Sequence, residues 1–486
     1  MRKIIYITLL LAATGCSKKL DLLPISNKNV DGFYKTTAQF NQAIMGCYDG
    51  LQNSALKQNF SYMMTESRSD NAWQRIDYDD GQISRFSDNA ALPVLNSAWV
   101  LLYNYISRCN YVLDALKTNT TLDGTFKATT KGEALFLRAL FYFDLVRFFG
   151  GVPIVDKAIT IKEGYALKKA SIEEVYDFIV SDLKEAATLL PDQQPSDNKD
   201  RATAIAARGF LGKVYVFRSG YPLKKNEWSL AATELKAVLD KVGDGGFLTN
   251  YSDIFDYSKE NGKQAIFSIG CKSGADGEGN PYPSRNAPNS MVPGTDPLMI
   301  PFGGSPMQLF LDDFILNSLF DEPNDNRYTY SIQNQWLDKS GSVISDQPFV
   351  KKYRSGPVAA NSDWDIDWIL LQYTDVYMLY GEAMYHQSQP GIALDVLNRV
   401  RGRAGLTALA STDIDTEDKF VDRLLKERRK EFCFENQRWF DLVRTDKALD
   451  IMKPFLDHYG AGSNFSSRDQ YYYKIPQQET SITGIQ

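Results

Sequence analysis

The chain has 486 residues and a formal net charge of −6. It is too long for one small core, and its 27 Tyr, 27 Phe and 7 Trp argue against a disordered chain. No block of Lys and Arg is long enough to follow a phosphate backbone, so nucleic acid is not an expected partner.

Residues 1–15 have the layout of a signal peptide for export. Met1-Arg2-Lys3 is basic, and the apolar run at 4–13 is too short to span a bilayer permanently. Small residues then precede Cys16, as in a bacterial lipobox, where the thiol is lipidated and becomes the first residue of the mature chain. We therefore expect a lipid anchor at Cys16. The alternative is an ordinary signal peptide that is cut near a cysteine.

Four other cysteines lie far apart in the sequence and show no C-x-x-C spacing: Cys47, Cys109, Cys271 and Cys433. Buried free thiols are the expected state. A disulfide is conceivable in an oxidising compartment, and Cys47 with Cys109 is the pair to check, because both lie on predicted neighbouring helices.

The first half of the mature chain predicts long helices. Thr36 or Thr37 can cap a helix that runs to about residue 53, and a second helix is predicted over about 95–117. Residues 131–149 are apolar nearly all the way round, so neighbouring elements must cover that helix on two sides. Gly150-Gly151 and Pro153 then provide its stop.

Three stretches share the spacing of small and large residues that is typical of tetratricopeptide hairpins: 371–403, 202–241 and 171–191. Small residues let two helices approach closely, and large residues fill the grooves between them. The pattern predicts a mainly α fold with a helical repeat scaffold at 36–242 and 369–456.

Between the two parts of the scaffold, region 243–368 is rich in Gly, Pro, Asn and Asp. Its strand-like pieces are short, at about 264–270 and 348–353. We expect large surface loops over 272–304, and a loop region of this length is commonly functional. The tail at 457–486 is expected to be an extended piece on the surface.

Residues 423–447, RLLKERRKEFCFENQRWFDLVRTDK, predict one or two amphipathic helices that close the core. Phe432 and Trp439 belong to the apolar side. Basic residues alternate with acids on the other side, a pattern typical of a salt-bridged helix face.

The same residues resemble the closing helices of the SusD/RagB family. The similar segments are Glu427 to Phe432 and Arg438 to Arg444, together with the 131–153 helix and its stop, the lipobox and the tail around 471–479. The resemblance covers 16–486 as one domain. It implies about four tetratricopeptide-like hairpins with a loop-rich insertion.

The resemblance also implies a non-enzymatic, lipid-anchored binding protein of the outer membrane. It would act as a lid on a TonB-dependent, SusC-like transporter and capture an oligosaccharide, or a peptide as in the RagB branch. We expect it to face the cell exterior. However, Ser17-Lys18-Lys19 departs from the acidic surface-export signal of many such lipoproteins, so the periplasmic face stays open.

A search for catalytic and metal sites finds no nucleophile elbow, phosphate loop or dinucleotide fingerprint. His386 and His458 lack the spacing of metal ligands, and the loop at 274–280 lacks the register of a calcium hand. We expect no cofactor and no metal.

Aromatic residues beside polar partners in loops are the best candidates for ligand contacts, because sugar rings have apolar faces edged by hydroxyls. The alternative for each ring is that it holds a loop on the scaffold. Asp70, Asn71 and Trp73 also lie in a stretch that resembles a loop at the border of the family's binding face. The candidates are Asp70, Asn71, Trp73, Arg75, Tyr282, Trp336 and Trp364.

Two other classes of function stay open. A periplasmic helical-repeat adaptor would bind another protein and no nutrient, although the large loops at 243–367 argue against it. A surface glycan hydrolase would need two carboxylates roughly 5–10 Å apart across a cleft, which the sequence cannot test.

Overall fold

The computed structural model describes residues 33–57, 60–74, 79–195, 198–260, 262–274, 277–306 and 309–485. The expected signal peptide, the anchor at Cys16 and the candidate Arg75 lie outside these residues. Within the described ranges, no helix combines the length and the hydropathy that crossing a membrane requires.

The described residues form 18 α-helices and eight short strands. The helices are α1 Thr37–Gln52, α2 Phe60–Met63, α3 Asp79–Ser84, α4 Pro93–Thr118, α5 Gly124–Phe149, α6 Ile161–Gly164, α7 Ile172–Leu189, α8 Ala204–Ser219, α9 Trp228–Val242, α10 Tyr282–Asn286, α11 Asp313–Leu319, α12 Asn326–Ser331, α13 Tyr373–His386, α14 Pro390–Arg403, α15 Glu417–Glu431, α16 Arg438–Arg444, α17 Ala448–His458 and α18 Gln477–Thr483. The strands are β1 Ala265–Ile269, β2 Ile332–Gln333, β3 Trp336–Leu337, β4 Val343–Ile344, β5 Phe349–Val350, β6 Val358–Ala360, β7 Asp363–Trp364 and β8 Trp368–Gln372.

Local sequence signals explain where the long helices begin and end. Thr36 caps α1 in a reciprocal capping box with Gln39, as the sequence predicts. Helix α5 is buried along most of its length and ends at Gly150, whose φ of 71° is a left-handed conformation that glycine adopts without steric cost. The predicted cover on two sides comes from α4 and α7.

The long helices pack in a continuous series. Helix α4 packs on α5, α5 on α7, α7 on α8, α8 on α9, α9 on α13, and α13 on α14. The small residues of the repeat pattern lie at these contacts. A Cβ at Gly212 would come within 2.6 Å of Leu235, and one at Gly381 within 2.9 Å of Val396. The predicted fold class, a mainly α helical repeat with a loop-rich insertion, is confirmed.

Four two-stranded sheets lie in or beside the insertion. Strand β1 pairs antiparallel with β8, with Ser268 opposite Ile369 and Ile269 opposite Trp368. The chain therefore leaves the scaffold after α9 and returns beside β1 before α13 begins. Antiparallel pairs β2–β5, β3–β4 and β6–β7 organise the segments between.

Two expectations differ from the structure. The insertion is not only loops, because α10, α11 and α12 lie within it. The tail is not an extended surface piece: Tyr471 and Tyr473 are buried, and α18 follows. The hydroxyl of Tyr473 donates to the carbonyl oxygen of Met64 at 3.1 Å, so the tail is held against the N-terminal half by its rings.

The polar side of α15 and α16 is salt-bridged, as predicted, but it is buried and not solvated. Arg428 pairs with Asp375 of α13 at 2.8 Å and with Asp441 at 2.9 Å. Arg444 pairs with Glu382 of α13 at 2.6 Å. These charges fix the closing helices to the scaffold from inside.

The four cysteines of the described chain are buried and carry free thiols. Cys47 on α1 and Cys109 on α4 are neighbours, and burial followed by the contact with Cys47 raises the pKa of Cys109 well above its ordinary value. Buried free thiols, the expected state, are what the structure contains.

Candidate ligand-binding cleft

A cleft of about 610 Å³ opens in the loop-rich region. Its walls come from four separate segments, at 252–256, 294–301, 330–333 and 351–356, together with Trp364. The sequence did not place these segments side by side. The β2–β5 pair brings two of them together, 330–333 and 351–356, with Ile332 opposite Val350, and Lys351 extends the pairing by donating its N–H to the carbonyl oxygen of Ser331 at 2.8 Å.

Aromatic rings supply the apolar part of the wall. Tyr330, at the end of α12, is 42% exposed and makes no ring stacking contact within the described residues. Trp364 is buried and fixed, because its indole N–H donates to Ser284 Oγ at 2.9 Å. Phe255 and Tyr353 pack edge to face with ring centroids 4.9 Å apart. Tyr330 thus adds an exposed ring to a cleft wall that also contains packed aromatic residues.

Neutral polar groups lie around the rings. Gln333 donates to the carbonyl oxygens of Pro297 at 3.1 Å and of Gln335 at 2.7 Å, which holds its amide in place. Ser355 Oγ accepts the N–H of Tyr257 at 3.1 Å and keeps a free O–H to donate. Such groups match the hydroxyls of a sugar.

The wall contains cations of two kinds and a carboxylate. Lys352 is buried, and its ammonium pairs with Glu435 at 2.8 Å, so it supports the wall from behind. Lys351 and Arg354 are half-buried and face the cleft. Asp256 accepts hydrogen bonds from the N–H and the hydroxyl of Ser258, and these bonds lower the pKa of its carboxyl.

Comparison with protein families assigns the fold. Residues 19–216 match a family described as starch-binding and associating with the outer membrane, and residues 256–484 match the SusD family. The two matches belong to one group of proteins and together cover most of the chain. The chain belongs to the SusD family.

Relatives agree with this assignment. A SusD-like protein of Formosa agariphila is 25% identical over 474 residues, which cover 90% of each chain. A solved laminarin-binding SusD-like protein superposes with a TM-score of 0.76 at 23% identity, over 93% of this chain and 99% of the other. The surface glycan-binding protein A of Bacteroides thetaiotaomicron superposes with a TM-score of 0.76 at 21% identity, over 93% and 98%.

Asp70 and Asn71 are predicted ligand contacts, but both side chains are buried within this SusD-family protein. The carboxylate of Asp70 accepts from Arg438 Nε at 2.7 Å and Nη2 at 3.0 Å, and Arg429 lies 3.1 Å away. Asn71 donates to Glu66 at 2.9 Å and accepts from Arg429 at 3.1 Å. Both side chains bind partners on the closing helices.

The predicted rings are buried as well. Trp73 stacks on Tyr459 with centroids 4.3 Å apart, the hydroxyl of Tyr282 donates to the carbonyl oxygen of Phe434 at 2.5 Å, and the N–H of Trp336 donates to Gln347 at 2.9 Å. Each of these rings fixes a loop against the core, which is the alternative that the sequence left open for them. Their role in ligand binding stays an untested prediction.

Trp364 is the one described candidate that lines the cleft. Tyr330, Gln333, Lys351 and Arg354 were not singled out from the sequence. The available signal was the run Lys351-Lys352-Tyr353-Arg354, three basic residues around a ring, at the end of the strand-like piece at about 348–353 in the loop-rich region. Within the described residues, no group of His, Cys, Asp and Glu is arranged to hold a metal ion.

Proposed function

We propose that this SusD-family protein captures oligosaccharides, or peptides as the second ligand class, and delivers them to a TonB-dependent, SusC-like transporter. The observation that carries the proposal is the cleft of about 610 Å³, which combines an exposed Tyr330 ring with fixed polar groups. Its volume lies in the range of small-molecule sites. Relatives named for binding laminarin or surface glycans support the glycan class.

Binding without turnover is part of the proposal. Acid catalysis of glycoside hydrolysis requires a carboxyl group whose pKa is raised. In the cleft, the hydrogen bonds from Ser258 lower the pKa of Asp256, which makes it a poor proton donor near neutral pH. Asp256, one of the two carboxyls that line the cleft, is thus unsuited to act as the acid, which supports a binder.

Attachment through a lipid on Cys16 would keep the binder close to its transporter. Tethering raises the effective concentration of one partner at the other without any new contact. The family description that includes association with the outer membrane supports this location. We propose that the anchored protein faces the cell exterior.

An adaptor that binds only protein remains the second candidate, because an apolar surface is exposed elsewhere on the scaffold. Val100, Ile161, Tyr165 and Ile482 are exposed around a groove of about 320 Å³. Exposed apolar patches often mark protein interaction sites. The two candidates differ in whether any glycan or peptide binds.

Calorimetry with the full-length protein in detergent tests the proposal, using a panel of oligosaccharides and a pool of short peptides. We expect saturable binding of at least one glycan. Removing the ring in Tyr330→Ala should weaken that binding two- to tenfold, which corresponds to about 0.5–1.5 kcal/mol. The matched control is Tyr165→Ala, an exposed ring outside the cleft, which should leave the affinity unchanged.

Incubation of the same complex followed by an assay for new reducing ends tests the non-enzymatic role. We expect none above the blank. Turnover that a single Asp or Glu substitution abolishes would show a hydrolase. Failure of every glycan and peptide to bind would favour the adaptor.

A further inference from the structure

Two cations of the cleft have no internal partner. Within the described residues, the side chains of Lys351 and Arg354 make no hydrogen bond and no ion pair. Two fully buried cations of the protein are paired with carboxylates: Arg327 with Asp325 and Glu427, and Lys352 with Glu435. Sequestered charges are ordinarily compensated.

The turn that carries Arg354 is held on both sides. Before it, the ring of Tyr353 stacks on Trp368 with centroids 4.7 Å apart. After it, Ser355 accepts the N–H of Tyr257, and Gly356 adopts a φ of 87° against the Tyr257 ring. The backbone N–H of Arg354 also donates to Lys351 at 3.2 Å. The backbone that presents the guanidinium is thus fixed before a ligand arrives, which lowers the entropic cost of binding.

The electrostatic environment favours an anion beside these groups. Burial lowers the pKa of Arg354 to about 10, and no carboxylate of the described chain raises it again. Burial, followed by the positive charge of Arg354, lowers the pKa of Lys351. A bound anion would offset both effects.

The carboxylates in the cleft do not supply that anion. Asp256 is bound to Ser258, and Asp296 accepts the N–H of Leu298 at 2.8 Å. Neither forms an ion pair with Lys351 or Arg354 within the described residues. Both acids retain free lone pairs that can accept hydrogen bonds from sugar hydroxyls.

We propose that the cleft binds a glycan bearing a carboxylate or a sulfate ester, and that this anionic group contacts Lys351 and Arg354. The proposal rests on the function proposed above and names the chemical class of the ligand. Arg354 can hold either anion with two parallel N–H donors, while Lys351 adds a point charge. Tyr330 provides the apolar surface for the ring that carries the group.

The test compares neutral, uronate-bearing and sulfated oligosaccharides of equal length by calorimetry at low ionic strength. We expect at least one anionic glycan to bind roughly tenfold more tightly than its neutral counterpart. Arg354→Gln should remove that preference, so that the anionic and neutral glycans bind with similar affinity. Lys168→Gln, which deletes an exposed charge outside the cleft, is the control and should have no effect. The preferred probe distinguishes a carboxylate from a sulfate ligand.

Salt dependence and Lys351→Gln provide a second readout if Arg354→Gln does not fold. The anionic preference should decline as the salt concentration rises from about 50 to about 300 mM, because salt screens partly exposed charges. Lys351→Gln should also reduce that preference. Neutral and anionic glycans that bind equally, or a preference that survives both variants, would overturn the inference and leave glycan capture intact. Binding only of an acidic peptide would overturn the inference, whereas absence of all binding would also overturn the proposed function.

Discussion

Asp70 shows how a polar residue in a turn can serve the core. Its carboxylate is buried between Arg429 and Arg438, both on the closing helices. Removing one partner of a buried ion pair leaves uncompensated charge. We expect Asp70→Asn to lower the free energy of unfolding by about 3–5 kcal/mol, measured by urea denaturation. Asp240→Asn, in an exposed pair with Lys236, is the control and should change stability by less than about 0.5 kcal/mol.

Acid should reveal the same interaction. Burial alone would raise the pKa of Asp70, but Arg429 and then Arg438 lower it to about 2. A carboxyl whose folded pKa is below its unfolded value of about 3.9 stabilises the protein above that pH, and the contribution is lost as pH falls towards 2. The unfolding free energy of the wild type should therefore fall more steeply between pH 4 and 2 than that of Asp70→Asn. Parallel curves of unfolding free energy against pH for the two proteins would show that Arg429 and Arg438 do not lower the pKa of Asp70.

Trp439 tests the packing of the closing helix. Its side chain is 0% exposed and lies near the rings of Phe86, Phe465 and Tyr471. Trp439→Ala should cost about 3–5 kcal/mol, because it leaves a large cavity. Tyr165→Ala, at an exposed ring, should cost less than about 0.5 kcal/mol. Similar melting temperatures for Trp439→Ala and the wild type would mean that α16 is not packed as described.

The sequence predicts that Trp439 is buried, which the structure confirms, and that Asp70 contacts ligand, whereas the structure places Asp70 in a buried ion pair. This difference has a physical reason. Trp439 lies on an apolar helical stripe, a local pattern that directly indicates burial. Asp70 has polar neighbours in sequence, while its partner Arg438 is 368 positions away. A contact of such sequence separation leaves no local pattern, so a structural ion pair and a ligand loop look alike.

At the scale of elements, close helix packing depends on glycines of the repeat. A Cβ at Gly212 in α8 would lie 2.6 Å from Leu235 of α9, whereas one at Gly402 in α14 meets no atom within 4 Å. We expect Gly212→Ala to destabilise by about 1–3 kcal/mol through overpacking. Gly402→Ala should instead stabilise by about 0.5–1 kcal/mol, because alanine favours a helix.

Chemical denaturation of both variants measures this contrast. If Gly212→Ala were as stable as Gly402→Ala, α8 and α9 would not be in close contact.

The repeat spacing was readable because it is local to each hairpin. The β1–β8 pair was not, because Ala265 in β1 pairs with Gln372 in β8, far along the sequence. The cleft was not, because its four segments are spread over residues 252–356.

At the scale of the whole molecule, the proposed lipid anchor determines where the protein acts. Cys16 is the expected site of lipidation. Cys16→Ser should therefore move most of the protein from the membrane to the soluble fraction, as measured by fractionation and immunoblotting. Cys47→Ser, at a buried thiol, is a control for thiol loss and should stay with the membrane. Equal membrane retention of Cys16→Ser would indicate another mode of attachment.

Purification through a C-terminal tag can identify the partner protein. A tag placed after Gln486 follows α18, Gln477–Thr483, which contains no buried residues. Purification from native membranes in mild detergent should recover a large β-barrel transporter in near-equal amount. A lipid tether keeps the binder and its transporter at high effective concentration, so the two stay associated even when their contacts are weak. Release of the tether should weaken this association. The amount of transporter recovered should thus fall with Cys16→Ser but persist with Arg354→Gln, since the cleft is proposed to bind ligand and not the transporter. Recovery of a different protein in stoichiometric amount, with no transporter, would support the adaptor.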